Sequence, residues 1–172
     1  MRREKFGRIL LLMVVLPMIA GMTGCKGEQE IAFRHLALNG RKAPGVVRID
    51  NPAAFDNLWQ GLFAPREQPA VDWDSEAVIG VFLGEKPTGG YSVIVRKVAR
   101  IAADHVQVQV DVREPGPDDI VTMAITYPGH IVAVDRRYLP KAPNWRLTVV
   151  DANGDLLFDS AESGNQTNEA MP

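Results

Sequence analysis

The chain has 172 residues, a length that suits one ordinary domain, with 19 Lys+Arg against 21 Asp+Glu and a formal charge of −2. That balance argues against nucleic-acid binding, which demands a clustered cationic surface to displace phosphate counterions. One cysteine excludes an internal disulfide framework, so the core has to hold the fold unaided.

Arg2, Arg3, Lys5 and Arg8 precede a short apolar run over residues 9–20, and small residues then lead to Met22-Thr23-Gly24-Cys25. The run is interrupted at Gly21, short of the roughly 20 apolar residues a membrane-spanning helix needs. It has the n-region and h-region of a secretory signal, and it resembles a bacterial lipoprotein signal, with Met22 standing where leucine is usual. The resemblance implies that residues 1–24 are removed and that Cys25 is acylated, palmitate included. It places the protein in the cell envelope, membrane-anchored through lipid. Lys26, where an aspartate would favour inner-membrane retention, leans toward the outer membrane. Loss of four basic residues and Glu4 takes the formal charge from −2 to −5, so acyl chains and not cationic patches are expected to supply the membrane link.

Residues 25–30 read as a polar tether, and a single β-rich domain is expected over 31–160. Strands are expected at 31–38, which carries His35, and at 45–49. Asn51-Pro52 is a helix-start signature. Phe55, Leu58, Trp59 and Leu62 follow at i, i+3, i+4 and i+7, an amphipathic stripe that Pro65 ends. From Ala77 onward the period changes to two. Val106, Val108, Val110 and Val112 alternate with polar residues over His105–Arg113, predicting a half-buried strand with His105 on its wet side. Asn153-Gly154 predicts a tight turn between strands at 145–150 and 156–158. Residues 161–172 read as a polar, frayed tail. The fold class expected is α+β, mainly antiparallel β in a sandwich or curved sheet, with one amphipathic helix.

Catalytic motifs are missing. His35, His105 and His130 are isolated in sequence, and there is no HExxH, no Gly-x-Ser-x-Gly elbow and no spare cysteine nucleophile. Asp72, Asp74 and Glu76 alternate, which reads as a solvated loop entering a strand at 77–83. Asp151, Asn153 and Asp155 do not continue as a calcium loop, because Leu156 stands where glycine is required. No catalytic residue, metal or cofactor is expected. The segment that stands out is Gly84-Glu85-Lys86-Pro87-Thr88-Gly89-Gly90-Tyr91-Ser92. Its paired glycines imply a tight reversal with positive φ at Gly89 or Gly90, and a loop held by rigid strands is a natural recognition element. Lys86, Pro87, Thr88, Gly89, Gly90 and Tyr91 are therefore the candidate partner-binding residues, with Thr88 and Lys86 expected to be exposed.

This segment, together with Val71-Asp72-Trp73, the valine-rich strand 106–112, Glu114-Pro115-Gly116-Pro117 and Ala124-Ile125-Thr126-Tyr127-Pro128, resembles the C-terminal domain of the PrcB family, named for a lipoprotein subunit of a secreted protease complex. The likeness covers roughly residues 71–135. It implies a noncatalytic, protein-binding accessory or stabilising subunit with a protease as partner. A looser likeness joins Pro87-Thr88-Gly89-Gly90-Tyr91 to the Asn-Pro-Thr-Thr-Gly-Tyr loop of chagasin-type inhibitors, which leaves protease inhibition as the alternative.

Overall fold

The computed structural model describes residues 27–161; Cys25 with the segment before it, and the tail from residue 162, lie outside the described residues. Two sheets stack face to face. One is five-stranded in the order β1-β5-β6-β8-β9, built from Gln29–Glu30 (β1), Ser92–Ala102 (β5), His105–Arg113 (β6), Arg146–Val150 (β8) and Leu156–Asp159 (β9). The other is four-stranded in the order β2-β7-β4-β3, from Phe33–Ala37 (β2), Gly129–Asp135 (β7), Glu76–Phe82 (β4) and Gly45–Ile49 (β3). All pairings are antiparallel except β6 with β8, which run parallel. The architecture is the α+β, mainly antiparallel sandwich that the periodicity predicts, with one α-helix among the described residues.

Strand alternation sorts the apolar residues into two cores. Ala77, Ile79 and Val81 of β4 and Val132 and Val134 of β7 face Val93, Val95, Val106, Val108, Val110, Leu147 and Val149 between the sheets. Val78, Phe82 and Ile131 point to the opposite face, where helix α1 (Pro52–Phe63) covers them with Phe55, Trp59 and Phe63. A sheet buried on both faces is why β4 reads as a continuous apolar run and not as an alternation.

The helix begins where the sequence says it should. Asn51 Oδ1 accepts from the Ala54 N–H at 2.9 Å and Pro52 occupies the first turn, satisfying an otherwise orphaned donor. The Trp59 indole donates to the Arg66 carbonyl at 3.0 Å, tying the chain beyond the helix back to it. Gly154 closes the β8–β9 turn at φ +91, and Asp151 Oδ1 accepts from Asn153 N–H and Asp155 N–H. Gln29 and Glu30, inside the segment read as tether, pair with Arg100 and Ala99 of β5. Two residues later the chain crosses sheets: Ile31 N–H bonds to Val98 O, and Asp135 N–H to Ala32 O. No helix among the described residues is long and apolar enough to cross a membrane.

Candidate functional site

The β4–β5 connector carries the candidate loop, and it is not free-standing. It lies along the long β6–β7 connector, residues 114–128, and the two are hydrogen-bonded together. Lys86 and Thr126 exchange both backbone bonds, at 2.9 and 3.0 Å. Gly89 N–H donates to Thr122 O at 2.9 Å, and Thr126 Oγ1 donates to Thr88 O at 2.7 Å. Gly90 holds φ +87, a conformation that favours glycine, with Val121 and Pro115 packed so that an added Cβ would come within 2.9 Å of Val121 Cγ1. Gly89 has ordinary φ.

This interlock corrects one expectation. Thr88 and Lys86 are half-buried, not exposed, because the neighbouring connector covers them. The Lys86 ammonium lies 5.2 Å from the centroid of the Tyr91 ring, which is itself half-buried. Pro87 and Gly90 keep their exposure. What the pole shows to solvent comes mainly from the other connector: Ile120 is fully exposed, Met123 is 85% exposed and Ile125 58%. A shallow groove beside it is lined by Leu38, Tyr91, Val93, Tyr127 and Pro128. These exposed side chains escaped the sequence reading, although a signal was there. Ile120, Val121, Met123 and Ile125 are apolar residues in a proline-bounded connector with no partner strand to bury them.

The acid-base candidates have structural work. Asp72 caps a turn, taking the Ser75 hydroxyl at 2.6 Å and the Asp74 N–H at 3.2 Å, and the Ser75 bond holds its carboxyl below the usual range. Glu76 takes a bidentate pair from Arg34, both bonds at 2.7 Å, which lowers its pKa. The Asp72 carboxylate is thus taken up by Ser75 and the Asp74 N–H, and the Glu76 carboxylate by Arg34 and the Asp72 N–H at 3.0 Å. His105 is half-buried, with Nε2 2.8 Å from Thr148 Oγ1; burial pushes its pKa down, and Arg146 adds to the effect.

One convergence was invisible in sequence. His35 and His130, 95 residues apart, meet through the β2–β7 pairing, with Nδ1 of His35 2.7 Å from Nε2 of His130 and the rings parallel within 3°. His130 is fully buried, and its Nδ1 accepts the Val95 N–H from the opposite sheet at 2.8 Å. An imidazole nitrogen that accepts a backbone N–H carries no proton, so the proton of His130 sits on Nε2 and is donated to His35. Burial, the His35 ring and Arg96 together push the His130 pKa down to about 4. Val95 adjoins a β-bulge at Arg96, and the imidazole caps its edge amide. The pair thus stitches the sandwich at one corner. Among the described residues, no group of three or more His, Cys, Asp or Glu is placed to hold a metal ion.

Residues 77–135 match the family model described as PrcB C-terminal. No curated protein and no solved structure matches the chain significantly. The matched segment runs from β4 to β7 and so contains both connectors of the interlocked pole, while α1, β1–β3, β8 and β9 lie outside it.

Proposed function

From the match of residues 77–135 to the PrcB C-terminal family model, we propose that the chain is a noncatalytic, lipid-anchored envelope protein that binds a protein partner. Its role is that of an accessory or stabilising subunit, and a secreted protease is the partner favoured. The observation that carries the reading is that the family-matched segment builds a pole of two mutually hydrogen-bonded connectors, a rigid platform of the kind recognition uses. The noncatalytic part is supported by the committed roles of His130, Asp72 and Glu76, each of which already caps or pairs within the fold.

In the inhibitor alternative the 87–90 loop would offer its own polar backbone groups to a peptidase. Gly89 N–H and Thr88 O are instead both taken by the adjoining connector, which favours the accessory role. The test is co-purification from detergent-solubilised membranes, with mass spectrometry of the associated proteins and assay of any protease among them. An accessory subunit preserves or raises that activity; a titratable loss would establish the inhibitor instead. Absence of any specific associate would defeat the protein-binding reading.

A further inference from the structure

We propose that the interlocked pole docks into an apolar cleft rimmed by lysine and arginine on a partner protein, and that Ile120, Met123 and Ile125 are the side chains that enter it. This rests on the protein-binding reading above and names its contact surface and the chemistry of the partner.

Large apolar side chains left in solvent are concentrated at this end of the molecule. Besides those three, Val112 stands at the end of β6, and Leu38, 66% exposed, lines the adjoining groove; Leu156 and Leu157, on β9, lie apart from it. An apolar cluster on a polar surface marks an interaction site when the backbone beneath it is ordered. Here it is ordered by the bonds from Gly89 and Lys86 and by Val121, which tucks against Gly90 while its neighbour Ile120 points out. The pole is therefore preorganised, and little entropy is lost on docking.

Charge selects the occupant. Residues 113–119 carry Arg113 against Glu114, Asp118 and Asp119. Arg113 is spent on Asp119 at 3.2 Å, and Asp119 also accepts the Gly116 N–H. The other cations of this end are engaged, Lys42 with Glu85 at 3.6 Å, the Lys86 ammonium over the Tyr91 ring and the Arg41 guanidinium over the Phe82 ring, whereas Glu114 and Asp118 are exposed and make no ion pair among the described residues. These two unpaired carboxylates beside the apolar tip disfavour an anionic phospholipid surface, and equally a self-paired copy that would bring them together. A cationic rim around an apolar cleft complements both features. The fold also sets the tip far from the proposed anchor. The chain enters the domain at β1, beside Arg100 of β5, whereas β5 starts at Ser92 next to the pole. Eight strand residues separate the two points by about 26 Å.

The experiment places p-benzoylphenylalanine at Met123 in the full chain in its native envelope, with Leu157 as the control site. Irradiation should give one dominant adduct from Met123 and not from Leu157, to a protein other than this chain. The cross-linked peptide should be apolar with flanking lysine or arginine. Ile120→Asp should lower the adduct yield roughly tenfold, as loss of a central apolar anchor does. Asp118→Lys should lower it severalfold at low salt and less at high salt. Melting temperatures of the variants establish that they fold, with Ile120→Gln as a milder substitute should Ile120→Asp fail. Adducts to phospholipid, to a second copy, or to a surface without cationic residues would overturn the proposal. So would a yield indifferent to all the substitutions. A partner that co-purifies yet ignores these substitutions defeats the docking surface alone, whereas no partner at all defeats the protein-binding reading with it.

Discussion

At the residue scale, His130 is the group whose chemistry is most altered by the fold. Its folded pKa, about 4, lies below the ordinary 6.5, so above pH 6.5 it is neutral in both states and its contribution is complete. As pH falls below 6.5 the unfolded chain takes up a proton that the native state refuses, and stability drops until the folded pKa is passed. At 1.36 kcal/mol per unit the loss at pH 5 is about 2 kcal/mol. His105, also lowered, adds in the same direction. Urea unfolding at pH 7 and pH 5 measures this, and His130→Asn, which keeps an acceptor near the Nδ1 position without a titrating group, should flatten the dependence. At Gly90 a side chain costs about 1–2 kcal/mol for the left-handed backbone, before any clash with Val121 and Pro115. Gly90→Val should therefore lower the melting temperature by several degrees, whereas Gly116→Ala, with open space around its Cβ, should leave it nearly unchanged.

At the scale of elements, helix α1 acts as a lid on the outer face of the four-stranded sheet. Trp59 is 4% exposed, stacks on Phe63 with ring centroids 4.2 Å apart and meets Phe55 at 5.8 Å. Trp59→Ala should cost about 3–5 kcal/mol, the usual range for an aromatic truncated in a core. Asn51→Ala removes only the cap on Ala54 and should cost about 1 kcal/mol. Denaturant titration of the two variants ranks packing above capping, and the reverse order would show that the helix is held by its terminus. On the far edge, Arg146 pairs with the buried Asp159, whose carboxyl is held below its usual range by that guanidinium.

At the scale of the whole molecule, lipid anchor and docking pole are expected to divide the protein's work between opposite ends. Cys25→Ser should abolish palmitate labelling and release the protein from the membrane fraction without altering the domain's fold, because β1 and the sheets begin after it. Absence of label on the parent chain would remove the anchor from the account. Thr88→Asp, by contrast, acts on the fold as well as on binding. It places a carboxylate in a half-buried loop whose carbonyl accepts from Thr126, and its melting temperature should fall with partner capture, while Met123→Asp should reduce capture alone.

Much of this molecule was determined by local sequence. Asn51-Pro52 and the 3.6-residue stripe specify helix α1, alternating valines specify β6 at His105–Arg113, and Asn153-Gly154 specifies the last hairpin. Each depends on chemistry within a few residues, namely capping, face periodicity and a turn that tolerates positive φ. Tertiary structure alone decided that β6 and β8 run parallel, that His35 reaches His130, and that the 114–128 connector covers Thr88 while exposing Met123. Those outcomes depend on strand order and inter-sheet register. The packing of both cores at once sets order and register, and no short stretch of residues encodes them.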